Sequence, residues 1–309
     1  MPARSLARRG GRPLAIVFAL ALAIAVALAA PALAQQLAQR LLRYSAVVDG
    51  PTERPLRWPV AVAAGGADEI AVADARDNRL LIFHRVGSGW PLRREVALPA
   101  PPAALAFVGG EYLAALRGAG SELLAVRGGE SAAEPRKLTL PDGIVAGRLA
   151  ASSDGGLLVW DARRGRVVKL QGSSVVAQAR ISGNVTALAS DGAGGFWAGI
   201  GERGALERFD AEGRPAGRLR VPSESPVPPW PAGIVVEPGG RLFVLDRHQH
   251  RVVVLDGEGQ LLGLGGGKGW EPGQLYFPDA LARLPNGVLL ISDGGNGRAQ
   301  LFDVIGSGG

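Results

Sequence analysis

The side chains best suited to chemistry in this 309-residue chain are three histidines and a recurring pair of aspartate and arginine. His84, His248 and His250 are its only histidines, and three imidazoles form the ligand set of some catalytic zinc sites. Cysteine is absent, which excludes disulfides, thiolate metal sites and cysteine nucleophiles. No Gly-x-Ser-x-Gly elbow lies between a strand and a helix, and the glycine run at 263–269 lacks the Lys-Ser/Thr ending of a phosphate loop.

The aspartate and arginine pairs are spaced five residues apart, and each spans the turn between two short apolar runs. Residues 242–255, LFVLDRHQHRVVVL, show the pattern, which is a strand, an aspartate, four turn residues, an arginine and a second strand. The four pairs are Asp74/Arg79, Asp161/Arg166, Asp246/Arg251 and Asp293/Arg298. Two degenerate copies, at 112–125 and 196–209, have lost both members together. This pattern predicts a structural pair, because the carboxylate can accept turn N–H groups and the arginine can bind the carboxylate.

The same copies define a repeat that recurs every 39–47 residues along the chain. No long helical periodicity follows the first 34 residues, and 46 glycines with 22 prolines are typical of a chain that turns often. Each unit has room for four short strands, and six units fill the chain. We therefore predict an all-β fold, a six-bladed β-propeller. A β-sandwich would not need the periodic aspartate, and a solenoid would need shorter coils.

Two of these units resemble NHL repeats, whose pattern is roughly P-x-G-I-A-V followed by G-x-[IL]-[YF]-V-A-D-x-x-N-x-R-[IV]-x-V-F. The matching segments are WPAGIVVEPGGRLFVLDRHQHRVVVLD at 230–256 and FPDALARLPNGVLLISDGGNGRAQLFD at 277–303. The resemblance implies a six-bladed propeller of the secreted bacterial type. It leaves the function open, because the family includes protein-binding, RNA-binding and enzymatic members.

The resemblance also implies where an enzyme of this kind would hold a metal. A related amidating lyase uses histidines just ahead of its innermost strands, and the corresponding positions here are Val60, Ala103, Gly233 and Asp279. His84 ends a third strand, whereas His248 and His250 lie in a turn at the other end of a blade, so the three cannot converge. Asp279 and Asn184 alone supply too few oxygens for calcium. We predict no catalytic residue, no metal and no cofactor.

Aromatic residues and arginines are predicted to share one end of the blades, together with the turns between second and third strands. Tryptophan and arginine are enriched at binding hot spots, and arginine suits carboxylates and phosphates. The alternative is that the rings pack under neighbouring blades while the arginines are only solvated. The predicted ligand-binding face consists of Trp58, Arg76, Arg163, Arg164, Trp230, Arg247, His248, Tyr276 and Asp279.

Residues 1–34 are typical of a secretory signal peptide. Four arginines precede an apolar stretch, and Ala32-Leu33-Ala34 is a suitable cleavage site, although an uncleaved membrane anchor is the alternative. Cleavage would remove four arginines and no acidic residue, and would lower the formal net charge from +6 to +2. Such a balance argues against a nucleic-acid partner, and export argues for a periplasmic or secreted location. Any contact with a membrane would then be made by this segment, if it is kept.

The last unit lacks a fourth strand, because only Asp303 to Gly309 follow its third. Residues 41–48, LLRYSAVV, are apolar and β-prone, and we predict that they add the missing strand and close the ring. The chain then divides into a leader at 1–34, a segment with the closing strand at 35–57, and the propeller at 58–309. We predict an exported binding or scaffold module for a protein, a peptide or an envelope polysaccharide. The alternatives are a lyase or hydrolase with an axial metal, and a purely structural envelope subunit.

Overall fold

The computed structural model, which describes residues 41–129 and 133–305, is a six-bladed β-propeller. The described residues form 24 strands in six antiparallel sheets of four, and their only helical segments are three 3-10 turns. The all-β, six-bladed prediction is therefore confirmed. The predicted signal peptide and residues 35–40 lie outside the described residues. Within the described ranges, no helix has both the length and the apolar character needed to cross a membrane.

The strands follow one another from the axis outward in each blade. The first strand, β1 (Leu42–Val48), stands apart from blade 1, which contains β2 (Pro59–Ala64), β3 (Glu69–Asp74), β4 (Arg79–His84) and β5 (Leu92–Ala97). Blade 2 contains β6 (Pro102–Val108), β7 (Glu111–Leu116), β8 (Glu122–Arg127) and β9 (Arg136–Thr139). Blade 3 contains β10 (Ala146–Ala151), β11 (Leu157–Asp161), β12 (Arg166–Gln171) and β13 (Ser174–Arg180).

The second half of the ring repeats this arrangement. Blade 4 contains β14 (Val185–Ser190), β15 (Phe196–Ile200), β16 (Ala205–Phe209) and β17 (Pro215–Arg220). Blade 5 contains β18 (Pro231–Val236), β19 (Leu242–Asp246), β20 (Arg251–Leu255) and β21 (Leu261–Gly266). Blade 6 contains β22 (Pro278–Arg283), β23 (Leu289–Asp293) and β24 (Arg298–Val304). The 3-10 turns span Pro141–Gly143, Gly201–Arg203 and Gly294–Asn296.

The apolar runs of the sequence become strands that are buried on both faces. In blade 5, every residue of β19 is buried, and so is every residue of β20 after Arg251. Such strands are continuous apolar runs because both faces of the sheet pack against a neighbouring blade. Six separate cores of buried side chains result, one between each pair of adjacent blades around the ring.

The turn between the second and third strands needs one residue with a positive φ. In five blades this residue directly precedes the third strand, and in blade 2 Gly120 lies two residues before it; its φ lies between 49° and 62° in all six. Four of the six are glycine, which reaches this region without strain, and the other two are asparagine and histidine. The six residues are Asn78, Gly120, Gly165, Gly204, His250 and Gly297.

Ring closure follows the prediction from the sequence. Strand β1 pairs antiparallel with β24, with Leu42 opposite Val304 and Val48 opposite Ala299. Val48 is buried in the core between blades 6 and 1, and Leu42 is buried in the core between blades 5 and 6. A β-carbon at Gly265, in the outer strand of blade 5, would collide with Leu42. The N-terminal strand thus belongs to the last blade and contributes to both of its interfaces.

Candidate functional site

The innermost strands of the six blades surround a central channel. In every one of them the pairing register shifts between the first and third residues, so the second residue is bulged toward the channel mouth. The bulged residues are Val60, Ala103, Gly147, Thr186, Ala232 and Asp279. The residue of blade 5 at this position is Ala232, so the sequence-based assignment of Gly233 was wrong by one residue. The bulge could not be read from the sequence.

The channel contains a cavity of about 70 Å³, lined mostly by small apolar side chains. Its charged lining residues are Arg148, from β10, and Asp279, from β22. The sequence analysis did not single out Arg148. The signal that could have found it is that the other five blades carry Ala61, Ala104, Ala187, Gly233 and Ala280 at the same place in the pairing register.

Arg148 is held in the channel by backbone carbonyl groups. Its Nε donates to the carbonyl oxygen of Thr186 at 2.8 Å, and its Nη1 donates to those of Gly147 and Ala103 at 2.9 and 3.3 Å. No carboxylate of the described residues lies within ion-pair distance of it. Burial lowers the pKa of the guanidinium, and the positive charge of Arg117 lowers that pKa further.

A second arginine at the mouth is neutralised by Asp279. Arg247 follows β19, and its Nη1 forms an ion pair with the Oδ1 of Asp279. Its guanidinium also lies 5.6 Å from the centre of the Phe277 ring, in a cation–π arrangement. Burial lowers the pKa of Arg247, and the charge of Arg148 adds to that effect. The mouth therefore carries more positive than negative charge.

Beside this mouth, blades 5 and 6 carry an aromatic cluster, here defined as His250, Trp270, Tyr276 and Phe277. His250 stacks on Tyr276 with ring centres 5.3 Å apart, and Phe277 meets both rings edge-on. Trp270 lies 5.7 Å from Tyr276 and leaves 69% of its surface exposed. Phe277 has a φ of 45° and is 36% exposed. Large exposed rings next to one another are typical of a surface that binds something.

The tryptophans of the predicted binding face are partly buried. Trp230 packs on blade 4, since a β-carbon at Gly201 would lie 2.8 Å from its ring, and His248 lies 5.3 Å from it on the other side. The backbone N–H of Trp58 donates to Asp74, and its side chain is half-buried. Trp230 therefore supports the alternative of packing under a neighbouring blade, with one part of the ring still exposed.

The arginines of the predicted face do not act as a group. Arg164 donates to Asp161 at 3.1 Å and to the carbonyl oxygen of Gly143 at 3.2 Å, which makes it part of its own turn. Arg163 and Arg76 are exposed, and neither side chain has a hydrogen bond or ion pair within the described residues. Of the arginines chosen from the sequence, Arg247 is the one that the structure brings to the axial mouth.

Each aspartate of the repeated pairs ends the second strand of its blade and binds the backbone of the segment that enters the blade before its innermost strand. Asp74, Asp161, Asp246 and Asp293 accept backbone N–H groups from residues 16 or 17 positions earlier. The arginine lies within 3.3 Å of the carboxylate in the first, third and sixth blades, but Arg251 stays 3.9 Å from Asp246. In blade 4, which lacks the pair, Glu202 accepts the N–H of Asn184 instead.

The histidines do not converge. His84 ends β4, the Nδ1 of His248 contacts the carbonyl oxygen of Pro228 at 2.9 Å, and the Nδ1 of His250 accepts the N–H of Phe277 at 3.0 Å. Burial, followed by the charge of Lys268, lowers the pKa of His250. Within residues 41–129 and 133–305, no three histidine, aspartate or glutamate side chains are grouped so that they could hold a metal ion.

Comparison with known proteins agrees with the architecture. Residues 229–255, which form the first three strands of blade 5, match the NHL repeat family. The protein is a six-bladed β-propeller that carries an NHL repeat. This β-propeller matches none of the curated proteins in sequence.

Solved structures of similar shape are numerous, and they are alike in fold rather than in sequence. A protein of unknown function from Bacteroides thetaiotaomicron VPI-5482 superposes with a TM-score of 0.66 at 13% identity, over 85% of this chain and 75% of that one. A streptogramin B lyase gives 0.59 at 9% identity, over 86% and 99%. The WD40 β-propeller domain of Doa1 gives 0.59 at 15%, over 85% and 96%. Identities this low show the fold alone.

Proposed function

We propose that this propeller is an exported binding module that holds a protein segment or peptide on the face carrying the second-to-third-strand turns. The observation that supports this best is the aromatic cluster, which lies next to the arginine-rich axial mouth. Tryptophan, tyrosine and arginine are the residues that contribute most at protein interfaces. The contacts run from Trp270 to Tyr276, then to Phe277 and Arg247 at the axial mouth, so an extended ligand that follows them could contact all four.

Lyases are among the similar structures, yet the likeness to them is one of fold. The two charged residues that line the cavity are an arginine and an aspartate whose carboxylate already pairs with Arg247. Those groups suit the binding of an anion better than proton transfer, which requires a titrating group near neutral pH. A lyase or hydrolase activity would need a group supplied from elsewhere, and binding is therefore the function that the site supports.

A peptide-display selection against the mature protein tests the proposal. We expect enriched peptides that lose at least tenfold in affinity with the double variant Trp270→Ala, Tyr276→Ala. The matched control is Val176→Ala, an exposed apolar residue on the outer strand β13, which should bind the peptides as the wild type does. The proposal fails if the selected peptides bind the Trp270→Ala, Tyr276→Ala double variant as tightly as the Val176→Ala control. It also fails if envelope polysaccharides bind the face whereas no peptide does.

A further inference from the structure

Arg148 is a charged group without a charged partner at the centre of the ring. Its Nε and Nη1 donate to three carbonyl oxygens of blades 2, 3 and 4, which fixes the guanidinium in the channel. Nη2 donates no hydrogen bond within the described residues. Taking a cation out of water without an opposite charge is costly, and such a group is stable only when the surrounding structure holds it in place. An arginine that is fixed in place and still has a free Nη2 can donate hydrogen bonds to an anion without rearranging.

The charge balance of the mouth supports the same conclusion. Asp279 pairs with Arg247, so within the cavity it compensates that arginine and leaves the charge of Arg148 uncompensated. Arg117, the residue of blade 2 that corresponds in its turn to Arg247 of blade 5, adds a third positive charge, and its side chain is exposed. Burial lowers the pKa of both Arg148 and Arg247, and repulsion from a neighbouring arginine, Arg117 for the first and Arg148 for the second, lowers each pKa further. An anion bound among them would relieve this repulsion.

Cavity size and lining distinguish among anions. A cavity of about 70 Å³ has room for a small group, and its walls are apolar apart from Arg148, Thr186 and Asp279. Within the cavity only the charge of Arg148 is uncompensated, because Asp279 pairs with Arg247 and Arg117 lies outside the lining, so one negative charge balances it. Phosphate, which carries about −1.5 to −2 as a monoester and three acceptor oxygens, would need more donors than this cavity offers. A carboxylate carries one charge and can accept hydrogen bonds from the Nη2 of Arg148, the guanidinium nitrogen that the carbonyl oxygens leave unused.

We propose that the axial cavity is a carboxylate-binding site in which Arg148 receives an acidic side chain or the C-terminal carboxylate of a bound peptide. This inference rests on the proposed function, because Asp279, which lines the cavity, pairs with Arg247, and Arg247 lies against Phe277 of the aromatic cluster. Phe277, Pro278 and Asp279 are consecutive, and Arg247 contacts both the first and the last of them. A peptide that covers the cluster therefore ends within reach of the axis.

The probe that tests this site is N-acetylglycine, which carries a carboxylate, compared with N-acetylglycinamide, its neutral analogue. Binding is followed at constant ionic strength by calorimetry and by the arginine Nε–H signals in NMR spectra. We expect N-acetylglycine to bind the wild type saturably and to move the Arg148 signal, with at least tenfold weaker binding to Arg148→Gln. N-acetylglycinamide and inorganic phosphate should bind at least tenfold more weakly than N-acetylglycine.

Two further variants keep the result interpretable. Arg218→Gln removes an exposed arginine from the outer strand β17 and should bind the probe as the wild type does. Arg148→Lys keeps the positive charge but not the planar guanidinium, and it should bind the probe with intermediate affinity. It replaces Arg148→Gln as the test if that variant does not fold. Equal binding by the wild type and either Arg148 variant would overturn the inference, as would stronger binding of phosphate or equal binding of the amide.

The outcome is separable from the test of the proposed function. If N-acetylglycine binding depends on Arg148 but peptide affinity is unchanged in the Trp270→Ala, Tyr276→Ala variant, the axial site is supported and the peptide-binding face is refuted. If peptide affinity depends on Trp270 and Tyr276 but N-acetylglycine binds the Arg148 variants as it binds the wild type, only the axial site is refuted.

Discussion

Closure of the ring by β1 can be tested at a single side chain. Leu42 is 7% exposed and packs with Leu275 and Phe302 in the core between blades 5 and 6. Truncating a buried leucine to alanine removes its transfer free energy and leaves a cavity, which costs about 2–4 kcal/mol in the free energy of unfolding. For a domain of this size each kcal/mol shifts the melting temperature by roughly 2–4 °C. Leu42→Ala should therefore melt roughly 4–16 °C below the wild type.

The neighbouring residue on the same strand supplies the control. Arg43 faces outward with its side chain 70% exposed, and its ion pair with Asp303 at 2.8 Å is a surface contact. Such pairs contribute about 0–1 kcal/mol, so Arg43→Ala should melt within roughly 4 °C of the wild type. Differential scanning calorimetry of both variants measures the difference. If Leu42→Ala melts like Arg43→Ala, the closing strand does not hold the ring, and the reasoning is refuted.

Removing the whole closing strand should have a larger effect of the same origin. Deletion of residues 35–50 exposes the edge of β24 and uncovers the surfaces that Leu42 and Val48 bury, each worth about 1.5–3 kcal/mol before the lost backbone pairing is added. The unpaired edge should then promote association between molecules. Size-exclusion chromatography should show species larger than the monomer, and a deletion variant that stays monomeric with an unchanged melting temperature would contradict closure.

Three other predictions concern the contacts that hold the blades. Asp246→Ala should lower the free energy of unfolding by about 1–3 kcal/mol, because its carboxylate loses two backbone donors. Asp293→Ala should lower it by more, because the carboxylate of Asp293 accepts from four donors. Chemical denaturation measures both effects. Tyr112→Phe should cost about 1–3 kcal/mol in the same assay, because the buried hydroxyl donates to Glu69 at 2.8 Å. The pKa of His250 is lower in the folded state than its ordinary value, so its stabilising contribution is complete above about pH 6.5 and is lost as pH falls below that value. Melting temperatures between pH 5 and 7.5 should show this loss, and His250→Asn should reduce it while tolerating the positive φ.

The sequence by itself determined the architecture, because the information for a blade is local. Apolar runs specify strands buried on both faces, and the five-residue spacing of Asp246 and Arg251 marks the turn that joins two of them. The short remainder after the third strand of blade 6, together with the β-prone segment near Leu42, was enough to predict how the ring closes. Strand and turn preferences act over a few residues, so the pattern repeated within this one chain was sufficient.

Which residues meet at the axis was decided only by the tertiary structure. Arg148 and Asp279 are 131 positions apart in the sequence and line one cavity because the six innermost strands converge on a common axis. In blade 5 Ala232, not Gly233, lies at the mouth, and it follows the first proline of its strand as Val60 and Asp279 do. Arg164, which the sequence analysis placed on the binding face, also pairs with Asp161 of its own turn. Side-chain direction at a bulge or a turn depends on contacts with neighbouring blades, and no local pattern encodes those contacts.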